Sequence, residues 1–292
     1  MQIYGIKSVR PAPWATEFDP HRIHRERFME FELSFLGRLD IGHEPEGLTE
    51  PSGLALSRDG TALWTVSDDT RTVFKLDLEG RLVRGESFRV DLAGLEGISL
   101  DETGDYLYVV QEEENRLIKY SLRSKEPVWS RRLSELEGYE EVGRHFTSGD
   151  KNKGLEGVTV DTRTGSLFLL KEGKPALLLE VAPDATRLTG YHEITDRRGF
   201  TDDDLEASAI DCSGICFDST RSALWIISDK ARRIYLYSRD RDEVLFDTAL
   251  RYPDDMGNRT IRKAEGVAHD ALRDRLYIVS DEEARLYLYA IR

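Results

Sequence analysis

The stretch GLEGISLDETGDYLYVVQE, residues 94–112, decides the fold. It holds a glycine that follows an acid, a short alternating strand, a turn, and an apolar strand that ends in another acid. From the glycine onward, the same pattern occurs five times. Gly53, Gly97, Gly157, Gly214 and Gly266 open the strands GLALS, GISLD, GVTVD, GICFD and GVAHD. After a turn, ALWTVSD, YLYVVQE, SLFLLKE, ALWIISD and RLYIVSD follow, and then TVFKLDL, RLIKYSL, ALLLEVA, RIYLYSR and RLYLYAI. The acid that ends each second strand lies 15 residues after the glycine, at Asp68, Glu112, Glu172, Asp229 and Asp281.

The glycines themselves are 44, 60, 57 and 52 residues apart. The variable length falls between units, as in SELEGYEEVGRHFTSGDKNK and TDRRGFTDDDLEASAI, where a repeat array carries its loops. Period and strand content predict an all-β fold, a five-bladed β-propeller with four antiparallel strands per blade. The chain ends at Arg292, directly after the third strand of unit five. A propeller with an unpaired edge invites association. FMEFELSFLGRLDI, residues 28–41, is therefore predicted to supply the missing strand and close the ring. That divides the chain into an N-terminal extension, 1–27, and a propeller, 28–292.

Composition narrows the function. Of 292 residues, 39% are apolar and 33% charged, and the net charge is −14. Phosphate polyanions and anionic membranes are repelled by such a chain, so nucleic acid is not an expected partner. No apolar run reaches the roughly 18 residues of a membrane helix. The N-terminal residues lack the apolar core of a signal peptide, which places the expected location in the cytoplasm. Cys212 and Cys216, four residues apart on a strand, would be roughly 13 Å apart and are expected to be reduced.

The repeated acids point to a metal. In a propeller the first strand of each blade lines the axis, so Glu96, Glu156 and Glu265 are placed at one mouth of the channel. Units one and four have Ser52 and Ser213 there, with Glu50 and Asp211 two residues earlier, on the same strand face. Each blade thus offers a carboxylate to one ring. Hairpin register is expected to bring Glu96 opposite Gln111 and the second set of acids near the same mouth. The second set reads more simply as turn acids that bond backbone or face solvent. Crowded carboxylates repel unless protons or a cation offset them. An all-oxygen set suits Ca²⁺ first; Mg²⁺ prefers a tighter octahedron, and softer metals want Cys or His. Lys171, beside Glu172, is the expected rival neutraliser.

The runs EPSGLALS, GLEGISLD, NKGLEGVTVD with LFLLKEGKP, DCSGICFD with LWIISDKARRIY, and KAEGVAHD with LYIVSDEEARLYLY resemble the SdiA-regulated, YjiK-like family over about residues 45–292. The resemblance implies a five-bladed propeller, distantly NHL-like, with a calcium ion in a shared site. By position it carries the ligand role to Glu96, Glu156 and Glu265, and less directly to Glu50 and Asp211. Many such relatives have an N-terminal anchor or export signal, a pattern absent here.

Two functions follow as expectations. The first is a calcium-bound recognition propeller that takes a protein or small ligand at the channel mouth. The alternative is a Ca²⁺-dependent hydrolase acting on lactones, esters or phytate, with Lys151, Lys153 and Lys171 near a phosphate. Catalytic metals need an open position and a nearby base or nucleophile. No catalytic residue stands out, and many carboxylates would cancel the metal's charge, which favours recognition. His21 and His24 read as a solvated turn. Asp202–Asp204 read as a helix start capped by Thr201. Asn258-Arg259-Thr260 fits a glycosylation sequon that export alone would make meaningful.

Overall fold

The computed structural model describes residues 32–67, 69–146 and 153–292. Strand β1 (Leu33–Asp40) precedes the repeats. The first blade is β2 (Pro51–Leu56), β3 (Ala62–Ser67), β4 (Thr72–Asp77) and β5 (Phe88–Arg89). The second is β6 (Leu95–Leu100), β7 (Tyr106–Gln111), β8 (Arg116–Ser121) and β9 (Glu126–Arg132). The third is β10 (Leu155–Val160), β11 (Leu167–Lys171), β12 (Leu177–Val181) and β13 (Leu188–Glu193). The fourth is β14 (Gly214–Asp218), β15 (Ala223–Ser228), β16 (Arg233–Ser238) and β17 (Glu243–Ala249). A hairpin, β18 (Arg251–Asp254) and β19 (Gly257–Thr260), leads to β20 (Ala264–Asp270), β21 (Arg275–Ser280) and β22 (Arg285–Ile291). Each blade is a four-stranded antiparallel sheet, and the fifth takes β1 as its outer strand, in the order β1-β22-β21-β20. The fold is a five-bladed β-propeller closed by an N-terminal strand.

The second strands are continuously apolar because both of their faces are buried. Side chains alternate across a strand, so neighbours in sequence enter different seams between blades. Leu107 packs between blades one and two, and Tyr108 between two and three. Leu224 and Trp225 divide in the same way, as do Leu276 and Tyr277. Five apolar clusters fill five seams, and the last, with Leu54, Leu63, Ala268 and Tyr277, joins blade five to blade one. Burial of one such large side chain contributes about 1.5–3 kcal/mol.

Closure runs over seven register pairs from Leu33↔Ile291 to Asp40↔Arg285. Residues 28–31 of the expected closing strand, and the extension before them, lie outside the described residues. So do His21 and His24. The capped helix expected at 202–204 is absent: Asp202 Oδ1 accepts from the backbone N–H of Asp204 and Leu205, and only a 3₁₀ turn, Ala207–Ala209, follows. The Asp202 side chain satisfies its own turn, which competes with helix nucleation. Cys212 and Cys216 are free and buried.

The glycines are a packing requirement at the axis. A Cβ on Gly97 would stand 2.6 Å from Gly157 Cα; on Gly53, 2.5 Å from Glu96 O; on Gly214, 2.5 Å from Glu265 O; on Gly266, 2.5 Å from Ser52 O. Each glycine lets its strand touch the next blade's inner backbone. With Leu54, Ile98, Val158, Ile215 and Val267 they narrow the channel to a void of about 10 Å³. The axis is therefore two cups back to back.

Candidate metal centre

The acids that precede these glycines sit on β-bulges. Leu155 pairs with Lys171 but Gly157 with Leu170, so Glu156 is the extra residue of β10. Ala264 and Gly266 likewise pair with Ser280 and Val279, which leaves Glu265 extra. In blade two, Leu95 pairs with Gln111 and Ile98 with Val109, so Glu96 and Gly97 share one partner. A bulge re-aims a side chain. Here it corrects the simple register: Leu95, not Glu96, lies opposite Gln111.

The result is a cup of about 310 Å³ at one mouth. It is lined by Glu50, Glu96, Glu156, Asp211 and Glu265, and also by Glu112, Glu172, Asp229 and Asp281. Asp68, the remaining acid of the series, lies outside the described residues. The structure thus brings all five sequence-nominated acids to one cavity. The tightest group, however, takes only one of them. Glu112, Glu156 and Glu172 each have a carboxylate oxygen within 4.8 Å of the others. Two of the three come from the set that sequence reasoning gave to turns. The signal for them was present in the 15-residue offset, because that offset ends each second strand at the same mouth as the bulge.

Electrostatics follow from this crowding. Within 4.8 Å two carboxylates repel by about 3 kcal/mol or more at an effective dielectric of about 20. Burial, and then the charges of Glu96 and Glu112, hold the Glu156 carboxyl well above the usual range. Burial raises Glu112 as well, with Glu172 adding to it. Burial and the charge of Asp229 raise Glu265. Glu50 is raised by its hydrogen bond to Asp69 and by that residue's charge.

Lysines at the rim neutralise part of the set. Lys153 Nζ is 2.9 Å from Glu172 Oε2; Lys230 Nζ is 3.2 Å from Asp211 Oδ2 and 3.6 Å from Glu172 Oε1. Lys263 pairs with Asp281. Lys171 is not the neutraliser that its position suggested. It lies on β11 with its ammonium donating to the carbonyls of Glu172, Gly173 and Pro175 at 2.7, 2.9 and 3.3 Å. The ladder turns it away from its neighbour's carboxylate. Asp211 is fixed by Ser228 Oγ and the Lys230 N–H, at 2.8 and 3.1 Å.

A family model described as SdiA-regulated matches residues 38–289. The chain belongs to the SdiA-regulated family. None of the curated proteins matches this family member. Among solved structures it is similar to glutaminyl cyclase from Myxococcus xanthus, with a TM-score of 0.59 and 14% identity over 89% of this chain and 96% of that one. It is also similar to the Cps50 (Swd1) β-propeller domain of Myceliophteria thermophila, with a TM-score of 0.51 and 10% identity over 89% of this chain and 100% of that one. At these identities the likeness is one of fold. Among the described residues of this SdiA-regulated chain, no helix is long and apolar enough to cross a membrane.

Proposed function

We propose that this SdiA-regulated protein is a calcium-binding recognition module, whose ion sits in the carboxylate cup and whose surrounding loops take a protein or small-molecule ligand. One observation carries the reading: acids from several blades converge on one cavity, with Glu112, Glu156 and Glu172 close enough to share an ion. Oxygens that share one Ca²⁺ at Ca–O distances near 2.4 Å can be no more than about 4.8 Å apart, a limit that the triad meets. The donor set fits as well, being all oxygen. Glu96 and Glu265 stand nearest by position to complete it, with Glu50 and Asp211 on the rim. The bound ion would supply positive charge that offsets the repulsion within the ring and ties neighbouring inner strands together.

The hydrolase alternative has less support. Besides acids, the lining residues are Ser52, Ser213, Lys230 and Lys263, and Ser213 Oγ already donates to Ala264 O at 2.6 Å. Among the described lining residues there is no histidine, asparagine or glutamine, so oxyanion donors there are scarce.

The test is thermal. Protein stripped of metal is titrated with Ca²⁺; saturation at one hundred times Kd adds about 2.7 kcal/mol. For a domain of this size that is a rise of roughly 5–10 °C. Glu156→Gln removes the rise. An unchanged melting temperature, with no metal found by elemental analysis, ends the metal reading. Turnover of a lactone, aryl ester or phytate that needs both Ca²⁺ and Glu156 would move the assignment to the hydrolase.

A further inference from the structure

On the outer side of blade five lies a second cavity of quite different chemistry. The β18–β19 hairpin stands outside the five blades, and sequence periodicity gave no sign of it. Tyr252 docks it: the ring is buried, with its centroid 5.0 Å from that of Tyr287 and 6.1 Å from that of Phe35. Tyr289 Oη also donates to Arg251 O at 2.9 Å. The hairpin, β1 and the start of β22 thereby enclose an open hollow of about 800 Å³.

Six arginines line it: Arg38, Arg232, Arg251, Arg259, Arg262 and Arg285. The acids in the lining are Asp254 and Glu283, and Glu282, just outside it, pairs with Arg262 at 2.7 Å. With Glu282 counted, the local balance is six positive against three negative, a surplus of three, on a chain whose net charge is −14. The acids hold one side of the wall. Arg259 pairs with Asp254, and the buried Glu283 carboxylate holds Arg285 at 3.2 Å and Arg262 at 3.6 Å. Arg38, Arg232 and Arg251 have no carboxylate within ion-pair distance among the described residues. Arg38 is positioned instead by the Tyr252 ring, 5.1 Å from its guanidinium carbon, a contact that leaves its N–H groups free to donate.

We propose that this hollow is a binding site for a compact multivalent phosphate. Like charges in excess of the acids among them raise the free energy of the empty site, and a polyanion relieves it. Guanidinium forks bind phosphate oxygens two at a time, which gives strength and orientation together. The acidic remainder of the molecule repels an extended polyanion, so the ligand is small. Thr260 and Asn258 add uncharged polar groups to the same wall. The hollow shares no lining residue with the carboxylate cup.

The 292-residue chain, stripped of metal and dialysed free of chelator, is titrated calorimetrically with inorganic triphosphate at about 150 mM salt. The expected result is saturable one-to-one binding that Arg38→Gln/Arg232→Gln/Arg251→Gln weakens at least about tenfold. All three side chains are exposed, so the fold is not at stake. A control, Arg58→Gln/Arg123→Gln/Arg187→Gln, removes the same charge elsewhere and leaves binding intact. The proposal is overturned by absence of binding at millimolar ligand, or by equal weakening in both triple variants. It is overturned too if a hexa-aspartate peptide binds as tightly as triphosphate, which would assign the hollow to an acidic protein segment.

Discussion

Adding one methyl group at the axis tests the architecture most sharply. In Gly97→Ala the new Cβ would lie 2.6 Å from Gly157 Cα, 2.7 Å from Val158 N and 2.8 Å from Gly157 C. All three are backbone atoms of the next inner strand, in a closed ring that cannot shift at one blade alone. Overpacking of this kind costs about 3 kcal/mol. Removing a glycine from the unfolded chain returns about 0.4–1 kcal/mol. The net loss is about 2 kcal/mol, or roughly 4–8 °C in melting temperature for a domain of this size. Gly157→Ala is the informative comparison. Its Cβ meets Ile215 Cγ2 at 2.9 Å and Leu170 Cβ at 3.3 Å, both side-chain atoms of the core, and the stiff χ1 of Ile215 lets that contact ease only in part. Its loss is expected to be about 1 kcal/mol, smaller than that of Gly97→Ala. Gly85→Ala, with nothing within 4 Å of the new atom, is the neutral control. Urea denaturation of the three variants at one pH gives the order Gly97→Ala, then Gly157→Ala, then Gly85→Ala near wild type. If Gly97→Ala stays within 0.5 kcal/mol of wild type, or Gly157→Ala is the worse of the two, the argument from backbone contact at the axis fails.

Other outcomes follow from the same geometry. Glu112→Gln and Glu172→Gln are each expected to weaken Ca²⁺ by at least about tenfold in stability titrations, and Glu50→Gln by less; the reverse order would place the ion on the rim instead of in the triad. Burial alone would raise the Glu180 carboxyl, but hydrogen bonds from His192 and Arg239 outweigh it and hold it at about 2, while the bond to Glu180 raises His192. The sign is then set: the raised imidazole contributes stability fully below its ordinary 6.5 and loses it as pH rises through its folded value. The melting-temperature gap between wild type and His192→Gln should therefore shrink from pH 6 to pH 8.5, and a gap that grows would refute the assignment. Truncation to residue 41 removes seven ladder pairs from β22 and bares its edge, so the shortened chain should elute as oligomer or aggregate in size-exclusion chromatography. A stable monomer would show that ring closure by β1 is dispensable.

Much of this propeller is determined locally, and the sequence alone carries that part. Blade number follows from five copies of one hairpin with a constant 15-residue offset. The buried second strands follow from continuous apolar runs such as LFLLK, and the crowded axis from a glycine at the same place in every unit. Even the mouth at which the acids gather is readable, because strand direction alternates and both acid positions end at one side. What the sequence left open are distances between chain-remote groups. Strand period alone put Glu96 opposite Gln111; a one-residue bulge, fixed by packing against the next blade, moved it. Whether Lys171 or Lys230 reaches Glu172 depends on which side of its sheet each residue leaves. Both are adjacent to an acid in sequence, yet only Lys230 faces the cup. Glu112 meets Glu156 across the seam between blades two and three, a contact that the pattern within one blade does not set. The arginine hollow is more remote still, since Arg38 and Arg251 come from opposite ends of the chain and share a wall because β1 returns to pair with β22. Local pattern sets the strands and the mouth at which they end, and packing of blade on blade, with closure by β1, sets what each side chain meets.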